Sequence, residues 1–173
     1  MPPIVDLEPT INTADPNKVL VYLPFEDQHK VLQWLQPLTQ YQFYLYGPGL
    51  SKSQLGHIQC SGPCVDEFKR DLHQAHAVIS NAGFELVSEA LQLQKRILVK
   101  ALQGQMEQQS NALALTQLQL GQSTDTLNTA VIKEWLASQP QNKQVQYVNV
   151  ARALAKWIRA GACPTELQQL NLW

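Results

Sequence analysis

Apolar positions along this chain fall into two rhythms, short continuous runs and stripes spaced three to four residues apart. Lys18-Val-Leu-Val-Tyr-Leu23 is a β-branched and apolar run stopped by Pro24, as expected of a strand buried on both faces. From Glu26 to Leu38 the rhythm changes: Val31, Leu32, Trp34 and Leu35 recur at helical spacing behind acids suited to a helix N-terminus. Tyr41 to Tyr46 is aromatic-rich and ends in Gly47-Pro48-Gly49, a strand followed by a hard turn. His57 to Cys60 fits a short strand, and Asp66 to Gln74, carrying Phe68 and Leu72, fits a helix.

The alternation is clearest in mid-chain. Ala77-Val-Ile-Ser80 is a buried-strand run that gives way to the small, polar turn Asn81-Ala82-Gly83. A helix-forming segment begins near Phe84 or Glu85, and a second run, Arg96-Ile-Leu-Val-Lys100, follows it. The polar stretch Gly104 to Gln109 then opens another helix, which Leu113, Leu115, Leu118 and Leu120 prolong to Gly121. Strand, helix, strand with two polar strand ends make a β-α-β unit. Asn128 to Ser138 and Val150 to Ile158 read as amphipathic helices, and Pro164 starts a short terminal one. Residues 1 to 17, with Pro2, Pro3, Pro9 and Pro16, have leader or linker composition. The expectation is one domain over 18–173, a Rossmann-like three-layer α/β/α sandwich with a mainly parallel sheet of about five or six strands.

Composition narrows the classes. The 173 residues suffice for a core without metal or disulfide staples. A net charge of -1 offers no basic stripe for nucleic acid. No apolar run reaches the roughly 18 residues that span a bilayer, and no signal peptide is visible at the start. Three cysteines do not make a secreted disulfide framework, so a cytoplasmic protein is expected.

In an open α/β sheet the polar strand ends line one edge, where ligands are held. Asn81, Ala82 and Gly83 permit close approach, and the helix beginning at Phe84 offers free N–H groups to a phosphate; equally, Asn81 can simply cap that helix. Glu89, beside Ser88 a turn further in, is either a solvated surface carboxylate or an acceptor for two ribose hydroxyls. At the other strand end Gly104, Gln105, Glu107 and Gln108 are either a polar helix start or a set of groups for a polyhydroxylated ligand. The pair Cys60 and Cys64 lacks partners at zinc spacing and reads as structural. No Walker motif and no Gly-x-Ser-x-Gly elbow is present.

Together these residues resemble the C-terminal half of a GT-B glycosyltransferase of the family-28 kind, close to an uncharacterised bacterial and archaeal branch. The likeness runs from Val65-Asp-Glu-Phe68 through Ala77-Val-Ile-Ser80, Gly83 and Ser88-Glu89 to Glu107-Gln108 and Asn111-Ala112. The resemblance implies a nucleotide-sugar donor, UDP-linked by analogy, with Gly83 and its neighbours at the diphosphate and Glu89 at the ribose. It further implies Glu107 and Gln108 at the donor sugar, the loop around Val65 at the base, and Asn111 fixing its loop. It implies no cofactor, no obligatory metal, and an N-terminal half, absent here, that supplies acceptor site and catalytic base. One departure stands out: where relatives carry a Gly-rich phosphate loop, this chain has Pro24-Phe25-Glu26-Asp27, whose acids repel a diphosphate at close range. A UDP-sugar epimerase and a non-catalytic protein-binding module are the rival readings.

Overall fold

A computed structural model of the chain describes residues 3–5, 14–139, 145 and 147–163. The elements run β1 (Asp15–Tyr22), α1 (Gln28–Leu35), β2 (Gln42–Tyr46), β3 (Ser53–Leu55), β4 (Ile58–Ser61), α2 (Val65–Gln74) and β5 (Ala75–Asn81). They continue with α3 (Phe84–Gln92), β6 (Arg96–Lys100), α4 (Met106–Gln117), β7 (Gln122–Ser123), α5 (Thr129–Ala137) and α6 (Val150–Arg159). One sheet of order β3-β4-β2-β1-β5-β6-β7 holds all seven strands of the described residues. Among the described residues only the β3–β4 pair is antiparallel. Without edge strand β3, the parallel strands in chain order stand 3-2-1-4-5-6, the doubly wound arrangement in which the strand order, not the strand direction, reverses between β1 and β5.

Alternation along the strands sorts the core into two layers. Val19, Val21, Phe43, Leu45, Ala77, Ile79 and Leu98 pack against α1 and α5. Leu20, Tyr46, Val78, Ile97 and Val99 face α2, α3 and α4. The expected three-layer sandwich is what forms. Arg96 is buried on the α5 side, where its guanidinium donates to the carbonyls of Trp135 at 2.6 Å and Leu136 at 3.1 Å. A cation there meets the negative end of α5.

Two boundaries and two edge strands differ from the sequence reading, each for a local reason. Strand β1 begins at Asp15, which pairs with Ala75, and a register shift between Asp15 and Val19 carries Pro16 past the ladder it cannot donate to. Strands β3 and β7 are short and wholly exposed, so no apolar run announces them; the sheet ladder holds them. Helix α4 stops at Gln117, because Gln119 turns left-handed (φ 58°) and the Leu120 N–H returns to the Leu115 carbonyl. Gly121 follows; a Cβ there would lie 2.9 Å from the Ile97 carbonyl oxygen, so only glycine lets the chain approach β6 this closely. The expected helix from Pro164 lies outside the described residues.

Candidate functional site

Among the described residues a cavity of about 440 Å³ opens at the carboxyl edge of the sheet, between the N-terminal parts of α2 and α3. Its walls are mostly apolar. Tyr22 and Tyr46 are the last residues of β1 and β2, and Phe68 comes from the first turns of α2. Phe68 meets both tyrosines edge-to-face, at 5.5 Å from Tyr22 and 5.1 Å from Tyr46 between ring centroids. Val65, Lys69, Glu85 and Glu89 line the same space.

A buried polar network holds this wall from behind. The Lys18 ammonium donates to Asp71 Oδ1 at 2.9 Å and to Gln74 Oε1 at 2.7 Å, and it lies 3.8 Å from the centre of the Tyr44 ring. The Tyr46 hydroxyl donates to the other Asp71 oxygen at 2.5 Å. Burial first, then its bond to the Asp71 carboxylate, pushes the Tyr46 phenol far above its ordinary pKa. The ring is therefore a neutral, fixed wall at any physiological pH.

Helix starts divide into two kinds. Asp27, Asn128 and Asn149 cap α1, α5 and α6 with side-chain oxygens. The N-caps of α2, α3 and α4 are Cys64, Gly83 and Gln105, and none makes a side-chain cap. Gly83 has φ −69°, and a Cβ built on it would meet nothing within 4 Å. Its own fold does not demand glycine there.

Across the end of β5, on the α1 side of the sheet, Lys100 at the close of β6 donates to Glu26 Oε1 at 2.6 Å. Glu26 belongs to the acidic loop after β1, and this pairing neutralises it. The same loop is tied down by Gln28, whose amide donates to the carbonyls of Leu23 and Glu26, while Asp27 is spent on capping α1.

The predicted site residues separate accordingly. Val65, 70% exposed, and the half-buried Glu89 line the cavity. Gly83 and Phe84, the latter 55% exposed, stand at the start of α3, outside the cavity lining. Asn81 does not cap α3; it ends β5 and its amide donates to the Lys100 carbonyl. The Ala82 carbonyl accepts from Asn111, so Asn111 does fix its loop. The Ser88 hydroxyl donates to the Phe84 carbonyl and is buried. Gly104 makes a left-handed turn (φ 78°), and Gln105 and Glu107 are exposed around the start of α4. Gln108 is turned inward, its Oε1 accepting from the Leu102 N–H. Gly83, Glu89 and Gln108 thus do not line one hollow: Glu89 alone of the three reaches the cavity. Sequence reasoning missed Tyr22, Tyr46 and Phe68 as walls; the available signal was an aromatic at the last position of two neighbouring strands. No cluster among the described residues could hold a metal ion.

A doubly wound sheet of this order, with its cavity at the reversal point, is a Rossmann-like fold of the kind that makes up half of a GT-B glycosyltransferase. Solved structures bear this out. The glycotransferase of kitacinnamycin is similar with a TM-score of 0.56 and 16% identity, over 78% of this chain and 38% of that one. CalG4, the calicheamicin glycosyltransferase, is similar with 0.57 and 16%, over 77% and 36%. ALG13 is similar with 0.53 and 15%, over 85% of this chain and 95% of that one. The chain therefore spans well under half of the first two and nearly all of ALG13. Family assignment follows from the sequence itself: the model of glycosyl transferase family 1 matches residues 1–140, and the chain belongs to that family. The sequence reading sets the resemblance in the family-28 kind, whereas the matching model is that of family 1. No curated protein matches the chain. No helix among the described residues is long and apolar enough to cross a membrane.

Proposed function

We propose that this chain is the donor-binding half of a glycosyltransferase that takes a hexosyl group from a nucleotide sugar, UDP-linked by the motif resemblance. The observation that carries the proposal is the cavity between α2 and α3, flanked by Glu89 and by the uncapped start of α3. A planar base fits against Phe68 and Tyr46, with Val65 backbone at its edge. Glu89 accepts two hydrogen bonds from the ribose. The diphosphate then reaches the α3 N-terminus, where free N–H groups and the helix dipole favour negative charge. Gly83 supplies the clearance.

Catalysis on this reading is displacement at the anomeric carbon with the nucleoside diphosphate leaving. The α3 N-terminus stabilises charge as it builds on the departing phosphate. Acceptor site and catalytic base come from a separate N-terminal half. Phe25, Phe84 and Met106, apolar and exposed along the carboxyl edge, favour such a covering partner. The same three residues also support a second reading, a protein-binding module with an idle nucleotide site.

Thermal unfolding with a nucleotide panel separates the two. UDP at millimolar concentration raises the melting temperature, and Glu89→Ala abolishes the rise for UDP. Absence of any shift with every nucleoside diphosphate would falsify the donor-site reading and leave the binding module.

A further inference from the structure

We infer that Lys100 is a ligand-binding cation for the phosphate groups, held in readiness by Glu26 and exchanged from that carboxylate to the incoming anion. This inference takes its place for the diphosphate from the donor-site reading, but the pair itself is independent of it. Glu26 and Lys100 lie 74 positions apart and join the loop after β1 to the end of β6, so their contact crosses the end of β5 between them. Lys100 is the register partner of Asn81, three residues before the start of α3. The cation therefore sits at the strand end from which the uncapped helix rises, on the α1 face of the sheet.

Its setting marks the pair as exchangeable. Its side chains keep 23% and 13% of their surface in contact with solvent, unlike Lys18 and Asp71 at 6% and 5%. A pair with some solvent access is held less firmly than a fully buried one, so opening it costs less than opening Lys18–Asp71. A diphosphate carries more charge than one carboxylate and offers several acceptor oxygens, so it competes well for an ammonium. Beside the pair, the Asn81 carboxamide oxygen is buried with no hydrogen-bond partner, although its amide nitrogen is bonded to the Lys100 carbonyl. Such an acceptor is satisfied by a donor brought from outside, and a sugar hydroxyl attached to the diphosphate is one.

Calorimetric titration with UDP and uridine, and phosphorus NMR with inorganic pyrophosphate, test the exchange on the full chain. Lys100→Met weakens UDP and pyrophosphate by about tenfold, the loss of one charge-assisted contact, and leaves uridine unchanged. Glu26→Gln tightens both anions by about threefold, since the competing carboxylate is gone. The double variant Glu26→Gln/Lys100→Met leaves no unpaired charge and controls for folding; it binds as weakly as Lys100→Met. If UDP fails to bind while pyrophosphate binds through Lys100, the donor reading falls and the cation stands. Wild-type binding of UDP that neither single variant alters overturns the inference, as does wild-type protein that takes up neither UDP nor pyrophosphate.

Discussion

Two lysine–carboxylate pairs flank the reversal point of the sheet, and their contrast explains how the edge is built. Lys18–Asp71 lies under the aromatic cavity, almost wholly buried, with each partner further bonded to Gln74 or Tyr46. Glu26–Lys100 is shorter, 2.6 Å against 2.9 Å, yet more open to water. Distance alone would rank the second as the stronger. Burial reverses the ranking of what each does. Buried charges that lose a partner are left stranded in a poor dielectric, so the first pair locks structure. Charges with solvent access re-pair easily, so the second can serve an incoming ligand.

The largest effect expected from breaking this contrast is at the buried pair. Asp71→Ala strands the Lys18 ammonium and the Tyr46 hydroxyl, and urea unfolding will show a loss of about 3–5 kcal/mol. A further buried cation tests the same principle through pH. Lys95 donates to the His73 carbonyl at 2.7 Å, and burial lowers its pKa to about 8. In the unfolded chain it titrates near 10.4. Between those values the unfolded state holds the proton and the folded state does not, so stability rises with pH from about 8 to about 10.4. Denaturant melts should show wild type gaining on Lys95→Met over that window; a constant difference would remove Lys95 as the cause.

Phe68→Ala comes next. Phe68 is half-buried, so the stability loss is about 1–2 kcal/mol, and UDP affinity drops with the lost wall while pyrophosphate affinity holds. At the open pair, Glu26→Gln changes unfolding free energy by less than about 1 kcal/mol. Gly83→Ala is smaller still in stability, within about 0.5 kcal/mol, because nothing of the chain stands near its Cβ. Its effect appears in UDP binding alone. A Gly83→Ala chain that unfolds early would show that the glycine is structural.

How much of this was legible beforehand depends on where the information lies. Strands β1, β5 and β6 announce themselves because both their faces are buried and their runs are continuously apolar. Strands β3 and β7 carry no such signal. Of the site, the α3 start was readable from Asn81-Ala82-Gly83, a local feature of chain and helix. Gln108 was misread because its side chain closes the loop before α4, a bond that spacing does not reveal. Tyr22 and Tyr46 pass for ordinary core aromatics until the sheet order sets their strand ends side by side. The acids after β1 read as a barrier to phosphate because Lys100, their partner in the fold, lies far along the chain.

The most direct test is an amide-resolved NMR titration of the chain with UDP. Saturable shifts at the amides of Gly83 and Phe84 and around Val65 and Phe68, with the α6 region unmoved, are the predicted result. A spectrum indifferent to millimolar UDP, or saturable shifts confined to residues away from the carboxyl edge of β1 and β5, would contradict it.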